Sequence, residues 1–114
     1  MRVLKFIVNG DTISQDPTCD FTGLHPGAEE RVQAEFAFSS DWESRVKVAA
    51  FLSVMDKEYP PQAINSDGTC EIPSEALAKV AFKVQVLGGK RNRPIVRTNE
   101  VTVYQRGRNK YPQL

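Results

Sequence analysis

The sequence predicts an all-β fold, an antiparallel β-sandwich built from about seven strands. Three observations support this prediction. Apolar and polar residues alternate with a period of two in several segments, clusters of turn-forming residues separate these segments, and only one short segment has helical character. Short strands that follow one another at this spacing, joined by such turns, are typical of a sandwich or a small barrel.

The clearest alternation occurs in four segments, and each is predicted to be a strand with one buried face. The residues predicted to face the core share one parity in each segment: Val32, Ala34, Phe36 and Phe38; Val46, Val48, Ala50, Leu52 and Val54; Val80, Phe82, Val84 and Val86; Val101 and Val103. The first segment, RVLKFIV, alternates less regularly, with Leu4, Phe6 and Val8 on one side. Two shorter strands are predicted around 59–64 and 94–97.

The breaks between the strands contain Gly, Pro, Asn, Asp and Ser, which favour tight turns. These breaks lie at 9–11, 25–27, 39–41, 65–68 and 88–92. One helical turn is predicted near residues 73–78, where Pro73 and Ser74 precede Glu75 as they would at the start of a helix. We expect a single domain over residues 1–107 and a polar C-terminal tail over residues 108–114.

The composition is that of a single soluble globular domain. The chain has 114 residues, of which 40% are hydrophobic and 25% are charged, and this length suits one core. No apolar run approaches the roughly 20 residues that cross a bilayer. The N-terminal segment lacks the features of a secretory signal, so we expect synthesis in a cytoplasm and no membrane partner.

Charge is distributed unevenly along the chain. Residues 1–87 hold eight basic and thirteen acidic residues, whereas residues 88–114 hold seven basic residues and one acid, Glu100. The basic residues of the C-terminal part are Lys90, Arg91, Arg93, Arg97, Arg106, Arg108 and Lys110. Three interpretations are open: a nucleic-acid patch, a basic end that docks on an acidic surface in an assembly, or a solvated hairpin and tail.

No metal or cofactor site is predicted. The two cysteines, Cys19 and Cys70, lie far apart in the sequence without a CxxC motif, and His25 is the only histidine. A structural zinc site uses about four ligands at short spacing. Because a disulfide is not expected in a reducing cytoplasm, we interpret both cysteines as ordinary buried or half-buried thiols.

No catalytic residue is predicted either. His25 lies in the turn GLHPG, and no surrounding motif would orient it as a base. Glu29 and Glu30 are adjacent, so they would point to opposite faces of a strand. The stretch GGKRNRP lacks the spacing of a phosphate-binding loop. The motifs therefore predict a non-enzymatic binding or structural module.

Four stretches, taken in order, carry a resemblance to a known group of proteins. They are CDFTGLHPG, AEFAFSSDWESRVKVAAF, TCEIPSEAL and FKVQVLGGKRNRPIVRTNEVTVYQRG, which together extend over residues 19–107. This order resembles small β-sandwich modules from the tail and baseplate gene regions of bacteriophages and prophages of Gram-positive bacteria. The resemblance implies a structural protein of the virion, made in the bacterial cytoplasm. Its partners would be other phage structural proteins, or further copies of itself in a homo-oligomer.

Trp42 is the only tryptophan, and it lies in a polar corner between two predicted strands. In a sandwich, a tryptophan at such a corner closes the open end of the core, where its large apolar area dominates burial. Its neighbours Asp41 and Glu43 would then form the wet rim. The alternative is that Trp42 is exposed and stacks on a sugar, because carboxylates beside an aromatic ring also suit a glycan site.

Phe51 is predicted to point outward, since it has the opposite parity to Val48, Ala50 and Leu52. We expect it to belong to an interaction surface together with Tyr59 and four basic residues, Lys90, Arg91, Arg93 and Arg97. The favoured prediction is an immunoglobulin-like β-sandwich that acts through protein–protein contacts in a phage tail or baseplate. The alternatives are a sandwich that recognises host cell-wall glycan, and a small phage protein that binds nucleic acid or a host factor. Nucleic acid is the least expected partner, because no aromatic residues interleave with the basic ones.

Overall fold

Two sheets pack face to face in a computed structural model that describes residues 1–27 and 31–105. The first sheet contains β1 (Arg2–Asn9), β2 (Thr12–Gln15), β3 (Val32–Phe38) and β6 (Thr69–Glu71), in the order β2-β1-β3-β6. The second contains β4 (Val46–Leu52), β5 (Gln62–Ala63), β7 (Ala81–Gly89), β8 (Val96–Arg97) and β9 (Val101–Tyr104). Its order is β5-β4-β7, and both β8 and β9 pair with the far side of β7. A 3₁₀ turn (Ser40–Trp42) and helix α1 (Ser74–Leu77) connect strands.

The prediction of an all-β sandwich with one helical turn is confirmed, and two details differ. The described residues form nine strands rather than about seven, because β2 and β6 were not predicted. These strands have four and three residues, too few to show an alternation. The first sheet is also mixed rather than strictly antiparallel, since β1 and β3 run parallel.

The parallel pairing of β1 and β3 requires a crossover between the two strands. The described part of this connection contributes to the core, because Phe21 and Leu24 are both buried. The guanidinium of Arg2, at the start of β1, donates to the carbonyl oxygens of Asp20, at 2.9 Å, and of Thr22. Arg2 of β1 therefore holds the described part of the crossover in place.

A series of aromatic rings runs through the first sheet and ends at Trp42. The ring of Phe6 lies 5.6 Å from that of Phe21 and 5.4 Å from that of Phe36. Phe36 is 6.0 Å from Phe38, and Phe38 is 5.5 Å from Trp42. Neighbouring aromatic rings at these separations add to the stability that their burial gives.

Trp42 closes one end of the sandwich, as predicted. Its side chain is 1% exposed, and its indole Nε1 donates to the carbonyl oxygen of Gly10 at 2.7 Å. The ring lies directly over Gly88, where an added Cβ would be only 2.4 Å from the tryptophan Cζ3. The alternative role of Trp42 in stacking on a glycan is wrong, because the ring has no exposed face to offer.

The predicted orientation of β4 is wrong, and with it the outward position of Phe51. Phe51 is 0% exposed and lies 6.4 Å from the ring of Phe82 in the core. Both faces of β4 are apolar, so alternation alone allowed two orientations, and a shift of one residue exchanges all the side chains between faces. Pairing with β7 selects the orientation in which Phe51 and Ala49 lie opposite Val84 and Val86.

Tyr59 is also buried rather than part of a surface. Its side chain is 8% exposed and belongs to the core cluster. The backbone N–H of Tyr59 donates to the carbonyl oxygen of Phe51 at 2.9 Å, which directs the tyrosine ring inward beside β4. The prediction that Tyr59 belongs to an interaction surface is therefore wrong, as it is for Phe51.

The two sheets are joined at one side by a side chain. The carboxamide of Asn99, which precedes β9, accepts a hydrogen bond from the backbone N–H of Ile13 at 2.8 Å and donates to the Ile13 carbonyl at 3.2 Å. This pair of bonds imitates a β-bridge between β2 of the first sheet and the second sheet. It satisfies backbone groups that would otherwise lie at an open strand edge.

Several smaller expectations can be compared with the fold. Cys19 is half-buried and Cys70 is buried, and both are free thiols as predicted. Burial raises the pKa of the Cys70 thiol to about 12, so this cysteine is an inert core residue. His25 is exposed in a turn. Glu29, Glu30, the domain boundary after residue 107 and the tail 108–114 lie outside the described residues.

Replacing Gly88 with alanine should destabilise the fold, because the new Cβ would lie 2.4 Å and 2.9 Å from two atoms of the Trp42 ring. We expect a loss of about 1–3 kcal/mol of unfolding free energy from overpacking. Gly89→Ala is the matched control, since nothing lies within 4 Å of its added Cβ, and it should change stability by less than about 0.5 kcal/mol. Denaturant unfolding measures both. Equal losses in the two variants would contradict the packing of Trp42 on Gly88.

Substitutions on the two faces of β4 should differ in how much unfolding free energy they cost. Phe51→Ala should cost about 3–5 kcal/mol, because it removes a fully buried ring. Val48→Glu should cost less than about 1 kcal/mol, because Val48 is half-exposed and outside the core cluster. Chemical denaturation of both variants tests the orientation of the strand. A larger loss for Val48→Glu than for Phe51→Ala would show that the strand faces the other way.

Candidate protein-binding face

The side of the second sheet that points away from the first sheet carries an apolar patch. Its members come from neighbouring strands and are joined by the strand register. Val48 of β4 lies opposite Ala63 of β5 and Leu87 of β7, and Val46 lies opposite Gly89. We call the patch the outer face and define it by Val46, Val48, Ala50, Ala63, Leu87 and Ile95.

The outer face is not covered by any described element. Val46 is 75% exposed and Ile95 is 63% exposed, while Val48, Ala50 and Leu87 are half-buried. None of these side chains belongs to the core cluster or packs against it. Contiguous apolar surface of this kind on a folded domain is typical of a contact site for another protein.

Toward one end, the outer face carries three carboxylates, Asp56, Glu58 and Glu100, and two lysines, Lys83 and the exposed Lys57. Lys83 of β7 lies between two carboxylates, and its Nζ bonds to Asp56 and to the Oε1 of Glu100 at 3.0 Å. Its side chain is 15% exposed, so the ammonium is held close to the sheet. The hydrogen bonds that the Lys83 ammonium donates to Asp56, first, and to Glu100 raise the pKa of Lys83. Glu58 pairs with Leu52 beside this cluster and adds a further carboxylate.

The opposite end of the outer face is basic. The connection between β7 and β8 turns tightly, with the N–H of Arg93 donating to the carbonyl of Lys90 at 3.1 Å and Asn92 at a φ of 60°. Lys90, Arg91 and Arg93 are exposed there, and Arg97 lies beside Leu87 in the sheet. We call these four residues the basic hairpin. None of them has an ion-pair partner within residues 1–27 and 31–105.

Arg45 lies on the inner side of the same end, since a Cβ added at Gly88 would be 3.1 Å from its Cδ, beside the Trp42 ring. Its Nε donates to the carbonyl of Asp41 at 3.4 Å, and its Nη1 is buried without a hydrogen-bond partner in the described part of the chain. Arg45 is therefore not part of the outer face. The second sheet therefore has a basic end, an apolar middle and an acidic end.

Two open grooves occur elsewhere, and their polar groups are already satisfied by their own loops. A groove of about 570 Å³ is lined by residues 15–22. There Asp16 accepts from the backbone N–H of Thr18 at 2.9 Å and from its hydroxyl at 2.7 Å, and these bonds lower the pKa of Asp16. A second groove, of about 420 Å³, lies beside the ion pair of Arg31 with Glu71.

Metal ligands and membrane spans were sought over the same residues. Among residues 1–27 and 31–105, no three His, Cys, Asp or Glu side chains come close enough together to hold a metal ion. No helix within those residues is long and apolar enough to cross a membrane.

The structure separates the predicted interaction surface into two groups. It gathers Lys90, Arg91 and Arg93 at one end of the outer face, with Arg97 beside Leu87, and it buries Phe51 and Tyr59. Val46, Val48 and Ala50 were assigned to the core, and that assignment is wrong because they form the middle of the outer face. The sequence contained one indication of this apolar face. Leu87 is apolar although it lies on the side of β7 that carries Lys83 and Gln85.

Comparison with protein-family models finds no match to this chain, and a search of curated proteins finds no similar sequence.

Proposed function

We propose that the chain is a non-enzymatic module that acts by binding another protein through its outer face. The observation that carries the proposal is the apolar stretch of the second sheet that runs from Val46, the first residue of β4 and 75% exposed, through Val48 and Ala50. Exposed apolar side chains on a regular sheet gain free energy when a partner removes them from water. The charged ends on either side would set the orientation of the partner.

The biological setting that we propose is a bacteriophage tail or baseplate, with the protein as part of the virion. This part of the proposal is supported by the resemblance of residues 19–107 to modules from such gene regions. Assemblies of this type are built from many small domains that contact each other through surface patches. An all-β sandwich with an exposed apolar sheet face suits such a subunit.

Two alternative functions have less support. Glycan recognition depended on an exposed Trp42, which is 1% exposed. Binding of nucleic acid retains the basic hairpin, whose four cations are exposed, but no aromatic side chain lies within residues 88–97 to stack on bases. If the hairpin bound nucleic acid, affinity for single-stranded DNA would fall steeply with salt, and fluorescence polarisation would show that dependence. We expect no binding that persists at physiological salt.

The proposal predicts that the protein is incorporated into phage particles through the outer face. Particles would be purified by density gradient from producing cells, and the chain would be detected by peptide mass spectrometry. We expect the wild-type chain to sediment with particles and the Val48→Glu variant to be lost from them, because a buried charge in the contact disfavours binding. The Val80→Glu variant should be retained, since Val80 is 61% exposed but lies outside the outer face.

The outcomes separate the two parts of this proposal. A wild-type chain that stays in the soluble fraction would contradict the phage setting. Incorporation of wild-type and Val48→Glu chains to the same extent would contradict the role of the outer face. Thermal unfolding of each variant shows whether a loss reflects binding or folding, because Val48→Glu should leave stability almost unchanged.

A further inference from the structure

We propose that the outer face binds the outer face of a second copy of this chain, in a two-fold dimer with the β4 strands antiparallel. In this dimer Arg97 of each copy lies against Glu100 of the other. The inference rests on the proposed protein-binding role of the outer face and deepens it by naming the partner. It is carried by the arrangement of charge along the second sheet.

Two-fold contact between sheet faces allows only two simple orientations. The symmetry axis lies in the plane between the sheets, and it runs either along the strands or across them. An axis along the strands keeps each end of one sheet over the same end of the other. An axis across the strands reverses the strand direction and places each end over the opposite end.

Charge selects the second orientation. Lys90, Arg91 and Arg93 lie at one end of the outer face and Asp56 and Glu58 lie at the other, whereas Arg97 and Glu100 lie between the ends, beside Leu87 and Lys83 of β7. An axis along the strands would bring two basic hairpins together, and like charges at close range disfavour association. An axis across the strands brings each basic end over an acidic end.

The lateral position of each side chain supports a direct contact between Arg97 and Glu100. Rotation about an axis across the strands places each strand over the same strand of the other copy. Only the position of a side chain along its strand is reversed. Arg97 is paired with Leu87 of β7, and Glu100, just before β9, reaches Lys83 of the same strand. Arg97 and Glu100 therefore lie on the same side of β7. A two-fold axis that crosses β7 between Leu87 and Gln85 brings Arg97 of one copy toward Glu100 of the other.

The apolar middle of the face fits the same arrangement. With the axis in that position, Val48 of one copy lies over Ala50 of the other, and Val46 lies near Leu52. Gly89 leaves a gap beside Val46, its partner in the strand register, since nothing lies within 4 Å of a Cβ added there. Small and medium side chains of this kind allow two sheets to approach to about 10 Å, the usual separation of packed sheets.

The size of the face indicates how strong the dimer should be. β4 has seven residues, so the face is about 23 Å long, and four strands make it about 19 Å wide. This gives roughly 400 Å² of flat area per copy, whereas a stable interface usually buries about 800 Å² per partner. We therefore expect a reversible dimer that forms as concentration increases.

Light scattering coupled to size-exclusion chromatography tests the inference on purified full-length protein. The wild-type mass should rise from that of a monomer toward that of a dimer as concentration increases. Val48→Glu should weaken the dimer by at least roughly tenfold in dissociation constant, whereas Val80→Glu should not change it. Arg97→Glu and Glu100→Arg should each weaken it, and the double variant should recover much of the lost affinity because the charges are exchanged.

Each remaining outcome has a definite meaning. A wild-type monomer at every concentration overturns the second copy as partner, as does a dimer that Val48→Glu leaves intact. Failure of the double charge variant to recover affinity overturns the antiparallel orientation. If the monomer is nevertheless incorporated into particles in a way that depends on Val48, the protein-binding role stands and only the partner is wrong. If the dimer forms but no particle contains the chain, the phage setting is wrong and the dimer stands.

Discussion

The packing of Trp42 on Gly88 is the contact on which the rest of the second sheet depends. The ring lies over the glycine so closely that no other residue type would fit without a shift. Because Trp42 is buried at the end of the core, Gly88 must face inward, and the alternation of β7 then directs Val86, Val84 and Phe82 inward as well. The aromatic series from Phe21 to Trp42 continues this contact into the first sheet.

The orientation of β4 follows from that of β7 through their pairing. Phe51 lies opposite Val84 and Ala49 opposite Val86, so these residues of β4 complete the core. The other apolar set of β4, with Val46, Val48 and Ala50, must then face solvent, although its sequence is just as apolar. The exposure of these apolar residues thus follows from core packing on the opposite face of the sheet. Their apolar character adds nothing to the core. An exposed apolar surface that the fold does not need supports the protein-binding role that we propose for it.

Most of the fold could be predicted from the sequence, and the failures have local causes. Alternation predicted the faces of β3 and β7, since their polar sets include Gln33, Glu35, Lys83 and Gln85. It could not orient β4, which has apolar residues on both faces. The parallel pairing of β1 with β3 depends on contacts between distant segments, which no local pattern encodes. In the candidate site, the basic hairpin was evident from charge alone, but the apolar middle of the outer face was misassigned together with β4.

Two edges of the sandwich are protected against pairing with another chain. At one side, the carboxamide of Asn99 occupies the backbone groups of Ile13 where β2 meets the second sheet. At the other, β5 has only two residues and follows Pro60 and Pro61, which cannot donate to a neighbouring strand. Short or occupied edges resist pairing with the edge of another chain. Blocked edges together with an exposed apolar sheet face support the association through that face that we propose, and the charges at its two ends would give that association a direction.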